Sequence, residues 1–197
     1  HCIATLDYPA TEISYAFLEG NSTDGSLQLL GEWLAKQRKK GIQFRLEKVD
    51  VDRQLEVPAR LAFLRNRLLK MTGDVDHILM IDSDVVNVQP DLLKRLLSRE
   101  KDIIAPMVMI EGTDVFYDTL AFRIGGQRFA PNMRILDAGP IPMDSVGTCY
   151  MMARKVAGEI SYDLGESEQV ALCAQAREKG FHIFLDPTLR VDHVNFS

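Results

Sequence analysis

Cysteine is scarce and offers nothing to build on. Cys2, Cys149 and Cys173 are the three present, they are far apart, and no Cys-x-x-Cys pair occurs, so neither a disulfide framework nor a zinc site is indicated. They read as ordinary thiols, Cys149 and Cys173 as small apolar residues. Long hydrophobic runs are also missing. No stretch of 18 apolar residues occurs and no charged-then-apolar segment opens the chain. The expectation is therefore a protein that is cytoplasmic or peripheral to a membrane, with no signal or transmembrane segment in this chain. Positive charge is in deficit: 23 Lys and Arg against 28 Asp and Glu leave a net charge of -5. That balance argues against nucleic acid or anionic lipid as partner, and a polyphosphate ligand would need a local cation. Internal repeats and low-complexity tracts are absent as well. What remains is 197 residues, 46% hydrophobic and 26% charged, enough for one globular domain with a full core.

The signals that are present alternate strand and helix. Residues 13–19 are β-rich and end on Glu19; small polar residues from Gly20 to Ser26 follow, then a helix over 27–40 with Leu27, Leu30 and Leu34 at helical spacing. Gly41 ends it, and residues 43–49 alternate as a second strand. Pro58 opens a helix carrying Leu61, Leu64, Leu68 and Leu69, with Arg60, Arg65 and Arg67 interspersed. A buried strand over 77–81, a short helix over 90–97 and a strand over 102–108 come next. Such alternation predicts an α/β fold with a mostly parallel central sheet flanked by helices. From Glu111 to Pro142 the regularity fails at Gly125-Gly126, Pro131-Asn132, Gly139-Pro140 and Pro142, which reads as a substrate-facing excursion. A strand over 146–152, a helix over 168–179 closed by Gly180, and two strands over 181–185 and 189–194 end the chain. The opening, His1 to Pro9, reads as the tail of a helix and a turn.

One stretch concentrates the chemistry. His77-Ile78-Leu79-Met80-Ile81-Asp82-Ser83-Asp84 is an apolar run that stops on two carboxylates one residue apart. Ligands of open α/β sheets sit at the carboxyl ends of strands, and two hard oxygen donors there suit a divalent cation and, through it, a phosphate. The bland alternative is that Asp84 starts a turn and Asp82 caps a neighbour; the tripeptide alone leaves both open.

Taken in order, these landmarks resemble the GT-A fold of nucleotide-sugar-dependent glycosyltransferases. Glu19 to Ser26 is similar to that fold's acidic residue and Ser-Thr-Asp-Gly turn, and Arg65-Asn66 to the pair on its next helix. Asp82-Ser83-Asp84 is similar to its Asp-x-Asp motif, Gly165-Glu166-Ser167-Glu168 to its Glu-Asp motif, and His193 to its late histidine. Within that fold, Arg65-Asn66-Arg67-Leu68-Leu69, Asp102-Ile103-Ile104-Ala105-Pro106, Tyr117 to Arg123 and Met143-Asp144-Ser145-Val146-Gly147 resemble the fungal-type Golgi mannosyltransferases of the mannan polymerase family. The resemblance covers most of the chain from about Tyr8.

It implies a single glycosyltransferase domain, with a nucleotide-binding half over about 1–110 and a donor-sugar and acceptor half over about 111–197. Mn²⁺ or Mg²⁺ would be held by Asp84, Asp82 and His193, with Asp82 also facing the ribose. Glu19, Arg65, Asn66, Asp82, Asp118, Arg123 and Gly147 would bind the donor. Asp144 and Glu166 would be the catalytic carboxylates, Asp144 at the donor sugar and Glu166 on the acceptor side. Glu166 would act as a base if the enzyme inverts and would position the acceptor if it retains. The reaction implied moves a hexose, mannose included, from GDP-mannose or a UDP-hexose onto a hydroxyl of a glycan or small acceptor.

Bland readings stand beside these. Glu19 can serve the turn that follows it, the arginines can be a solvated face, His193 a satisfied structural histidine, and Glu166 a partner of the helix dipole. His77 and His182 are assigned to structure. Two departures limit the resemblance. The family's first strand has no counterpart, so residues preceding His1 are expected, and Ser167 stands where inverting relatives carry an Asp. Two rivals differ in class: a GT-A-like subunit that binds nucleotide sugar or glycan without turnover, and an aspartate-nucleophile phosphatase, for which the partner lysine and downstream acidic pair are wanting.

Overall fold

The computed structural model describes residues 2–52, 54–131 and 139–194. The expectations that touched Asn132 and Asn195 lie outside the described residues. The chain packs as two compact units, Tyr8–Val75 and a larger one built from His1–Asp7 with Asp76–Ser197.

In the Tyr8–Val75 unit, β1 (Ser14–Glu19) pairs in parallel with β2 (Gln43–Lys48), Glu19 lying opposite Lys48. The crossover between them is α1 (Ser26–Arg38). Asp24 Oδ1 accepts the Ser26 N–H at 3.0 Å, and the Ser26 hydroxyl and amide together hold Asp24 below the usual carboxylate range. Trp33 of α1 meets Tyr15 and Phe17 of β1 edge-on, with ring centroids 6.0 and 5.8 Å apart, which seats the helix on the strands. At the other end Gly41 takes φ +80 and the Ile42 N–H reaches the Gln37 carbonyl at 3.3 Å, a left-handed helix stop. Then comes α2 (Val57–Met71), with Pro58 in the first turn where its missing N–H has no helical partner to lose. Arg45 Nη1 of β2 donates to the Met71 carbonyl at 2.8 Å and closes the helix.

The larger unit begins with β3 (His77–Ile81), β4 (Val85–Val88), α3 (Leu92–Ser98) and β5 (Ile103–Ile110). A small hairpin of β6 (Arg123–Ile124) and β7 (Gln127–Arg128) follows, then β8 (Ile141–Met143) and β9 (Cys149–Ala153). The short α4 (Arg154–Ala157), then α5 (Glu168–Glu178) and β10 (Ile183–His193), complete it. The strand order is β3-β9-β5-β10-β4, with β8 also against β10. Ile103, Ile104, Val108, Leu172, Leu185 and Leu189 are fully buried and form its centre.

The α/β class read from the sequence holds, but the mostly parallel sheet does not. Among the described residues of the larger unit's sheet only β5 and β10 are parallel neighbours; β9 runs antiparallel between β3 and β5, and β4 and β8 run antiparallel along β10. An all-apolar strand reads the same in either direction, so its pattern carries no polarity. The excursion after β5 returns the chain so that β9 starts beside the carboxyl end of β3, Cys149 opposite Ile81. Residues 85–88, to which the sequence pattern assigned no element, form β4. Among the described residues no helix is long and apolar enough to cross a membrane.

The two strands expected at the end of the chain are one, β10, interrupted by a register shift between Asp186 and Arg190. Pro106 of β5 lies opposite Asp186, and Pro187 follows, so the ladder lacks N–H donors on both sides and cannot run straight through. The fully buried Asp186 carboxylate repairs the gap, accepting Arg99 Nε at 2.7 Å, the Thr188 hydroxyl at 2.6 Å and the Thr188 N–H at 3.0 Å. Burial works to raise the Asp186 pKa, but the hydrogen bonds from Thr188 and Arg99 outweigh it and hold it below the usual carboxylate range. A carboxylate lowered by folding adds stability that is fully present above its unfolded pKa and is lost as pH falls through the folded value. Asp186→Asn is therefore expected to lose about 1–3 kcal/mol at neutral pH. Its deficit against wild type, read from urea midpoints, should shrink progressively as pH falls below about 5.

Candidate metal and donor site

The Asp82-Ser83-Asp84 segment is the whole link between β3 and β4. These strands stand at opposite ends of the strand order, which in a flat sheet is four spacings, about 19 Å. The four residue steps from Ile81 to Val85 reach at most about 14 Å. The sheet must therefore curl at this end, and the link closes across it onto the carboxyl end of β10. There Val85 is in register with His193, and the Val194 N–H donates to the Asp84 carbonyl at 2.8 Å.

That closure brings Asp84 and His193 together, with Asp84 Oδ2 2.9 Å from His193 Nε2. The histidine is 1% exposed, and its Nδ1 lies 2.9 Å from the Val194 carbonyl. A carbonyl can only accept, so Nδ1 carries the ring proton and a neutral ring turns its lone pair on Nε2 toward the carboxylate. Two acceptors that close need a cation, whether a proton or a metal ion. Asp84 Oδ1 points the same way: it is buried with no hydrogen-bond partner, an arrangement that costs free energy unless a donor or a cation satisfies it. A histidine whose second nitrogen is tied to a backbone carbonyl is also the usual state of a metal-ligating imidazole. Neighbouring donors on one Mn²⁺ or Mg²⁺ ion would stand about 3 Å apart, which the pair matches. Among the described residues no group of three or more His, Cys, Asp or Glu side chains is placed to hold a metal ion. Asp84 and His193 are thus a pair. Asp82 is engaged through its backbone, its N–H donating to the Thr148 carbonyl at 2.9 Å and its carbonyl accepting the Val85 N–H at 3.2 Å.

Tyr117 lies flat against His193, with ring centroids 3.6 Å apart and an interplanar angle of 13°. Burial, then the charges of Asp84, Asp118 and Asp82, push its phenol pKa up. Tyr117 belongs to the Tyr117 to Arg123 motif, but its spacing from the other residues carries no signal of this stacking. Beside it, Asp118 is buried and both its oxygens are engaged, Oδ1 by the Ala121 N–H at 3.0 Å and Oδ2 by the Thr148 hydroxyl at 2.6 Å. A Cβ on Gly147 would fall 2.4 Å from Ala121 Cβ, 2.6 Å from Asp118 Oδ2 and 2.7 Å from Gln169 Oε1. Glycine is required there for close approach of the chain.

A second cluster gathers on the β6–β7 hairpin and the start of α5. Arg123 forms an ion pair with Glu166 through Nη2 and Oε1, and Arg128 Nη2 stands 3.9 Å from the same oxygen. Asp144 accepts the Gly126 N–H at 2.6 Å and lies 3.4 Å from Arg177 Nη1. Ser167 is the N-cap of α5, its hydroxyl accepting the Val170 N–H at 3.1 Å. A cap explains a serine at this position.

In the Tyr8–Val75 unit, Glu19 ends β1 and is 6% exposed. Its Oε1 accepts the Ser22 N–H, and hydrogen bonds from the Ser22 amide and hydroxyl hold its pKa down, with Lys48 adding to them. Its Oε2 is buried with no partner. One oxygen thus serves the turn, and the other is left without a hydrogen-bond partner. Arg65 and Asn66 are half-buried on α2, while the exposed Arg67 pairs with Glu47 at 2.6 Å.

No protein-family model matches the sequence, and no curated protein matches it. Solved structures do. The crystal structure of GalNAc-T7 with UDP, GalNAc and Mn²⁺ matches 92% of this chain at a TM-score of 0.60 and 11% identity. The chain spans 43% of that protein's length. At that identity the likeness speaks for the fold, and the chain has a GT-A-like fold: a mixed α/β arrangement with a central sheet flanked by helices and, among the described residues, no closed barrel.

Proposed function

We propose that this chain is the nucleotide-sugar-binding and catalytic part of a metal-dependent glycosyltransferase. The observation that carries this reading is the Asp84–His193 pair, with Oδ1 buried and unsatisfied and Nδ1 tied back to Val194. It sits in a fold shared with a protein crystallised with UDP, GalNAc and Mn²⁺. When bound between Asp84 and His193, Mn²⁺ or Mg²⁺ supplies positive charge against the diphosphate that leaves as the glycosidic bond breaks.

The chain's own residues divide the rest. Asp84 and His193 hold the site, and Asp82 meets the ribose or the ion through water. Arg123 steadies phosphate and Asp144 orients the donor sugar, while Asp118 and Gly147 shape the floor beneath it. Glu166, held by Arg123, positions the acceptor hydroxyl. Within the Tyr8–Val75 unit taken by itself, Glu19 Oε2 accepts a hydrogen bond from a donor-substrate group, and Arg65 and Asn66 assist. Nucleotide binding belongs to about 1–110 and sugar and acceptor handling to about 111–197. The transferred group is a hexose, with GDP-mannose and a mannan-polymerase-type reaction the finer form of the proposal.

Calorimetric titration with GDP-mannose, UDP-glucose and UDP-GalNAc, with and without Mn²⁺, followed by a donor-hydrolysis assay, tests it. Binding of at least one donor only with Mn²⁺, with slow hydrolysis, is expected. No binding of any donor would refute it. The Arg123–Glu166 ion pair, which occupies the candidate acceptor-side carboxylate, favours a second reading, a nucleotide-sugar-binding subunit without turnover. Binding without hydrolysis or transfer would select that one.

A further inference from the structure

Thr148 is the one β-branched residue among the described ones in a left-handed backbone conformation, with φ +54. For such a residue this is an outlier that persists only where its surroundings over-determine it. Three contacts do so. Its hydroxyl donates to Asp118 Oδ2 at 2.6 Å. Gly147 before it is pressed against Ala121, Asp118 and Gln169 too closely for any Cβ. Its own carbonyl, turned by that conformation, accepts the Asp82 N–H at 2.9 Å. Thr148 is 4% exposed and Asp118 7%, so neither the hydroxyl nor the carboxylate has bulk water to fall back on.

We infer that the buried Asp118–Thr148 hydrogen bond is a positioning device for the metal pair. It holds Thr148 left-handed, the Thr148 carbonyl holds Asp82, and the three-residue link from Asp82 presents Asp84 to His193. Asp118 then acts through Thr148 and has no need to touch the donor sugar. This rests on the proposed metal site in one respect, that Asp84 and His193 are what is being positioned.

The experiment compares wild type with Thr148→Val, Thr148→Ser and Thr148→Gly. Mn²⁺ affinity is read from the free-ion EPR signal, and exchange of the Asp82 amide against the Leu79 and Met80 amides is read by NMR. Valine keeps the shape and loses the hydroxyl; serine keeps the hydroxyl; glycine suits the backbone angle without the tether, so it folds even where valine does not. Expected are about tenfold weaker Mn²⁺ binding and faster Asp82 exchange in Thr148→Val, wild-type behaviour in Thr148→Ser, and intermediate behaviour in Thr148→Gly. A general loss of packing would speed Leu79 and Met80 as well and would be shared by serine. The inference is overturned if Thr148→Val and Thr148→Gly keep both wild-type Mn²⁺ affinity and wild-type Asp82 exchange, or if Thr148→Ser is as impaired as Thr148→Val. If wild type itself binds no Mn²⁺, the proposed function falls, and the Asp82 exchange comparison still decides whether Thr148 governs the link.

Discussion

Asp84→Asn should remove the protein's response to Mn²⁺ while leaving its fold and its stability in chelator unchanged. In wild type the Asp84 charge is half-sequestered, with Oδ2 on His193 Nε2 at 2.9 Å and Oδ1 buried and unsatisfied. A metal ion that binds there stabilises the folded state alone, by about 2.7 kcal/mol at a hundredfold excess over Kd. For a chain of this size that is a rise of about 5–10 °C in Tm. Asparagine has the same shape, and its amide can donate to Nε2, so the metal-free protein loses little. What it lacks is the anionic oxygen the cation needs. Thermal melts in EDTA and in Mn²⁺ are expected to coincide for the variant and to separate for wild type. Donor turnover should fall about 10²–10³-fold or more, the scale of 3–4 kcal/mol of lost charge stabilisation. Full activity in this variant would refute the site.

His193→Ala should differ in kind, because this side chain has two occupations. It is 1% exposed, stacks on Tyr117 at 3.6 Å between ring centroids, and binds the Val194 carbonyl through Nδ1. Removing it leaves a cavity and an unsatisfied carbonyl, so the variant is expected to lose about 2–4 kcal/mol in chelator, read from urea midpoints. The Mn²⁺ response should vanish as well. A purely structural histidine would give the stability loss with the metal response intact. A purely ligating one would give the reverse. The contrast with Asp84→Asn therefore tests both readings that a lone histidine among valines permits.

Local signals carried much of the fold. Residues 13–19, 43–49, 77–81 and 102–108 read as strands and lie in strands, allowing a residue or two at the ends, because apolar runs bounded by Gly, Pro and polar turns leave few alternatives. The helices at Ser26–Arg38, Val57–Met71 and Glu168–Glu178 were legible from leucine spacing or from their stops, Gly41 and Gly180. What misled was direction and continuity. Nothing in Cys149–Ala153 says that it runs opposite to both neighbours, and β4 was hidden because a run of four residues is too short to show a period.

The candidate site divides along the same line. The residue types were decided by the sequence: an acidic pair at a strand end, a late histidine, a glutamate closing β1, each recognisable because its chemistry is local to a few positions. Which of them meet was decided only by the tertiary structure. Asp84 faces His193 because a three-residue link cannot span a flat sheet and the sheet curls to let it close. Asp118 turns inward because Thr148, thirty residues on, offers its hydroxyl. Distances between residues so far apart in the chain depend on strand order and on backbone conformations that no spacing encodes.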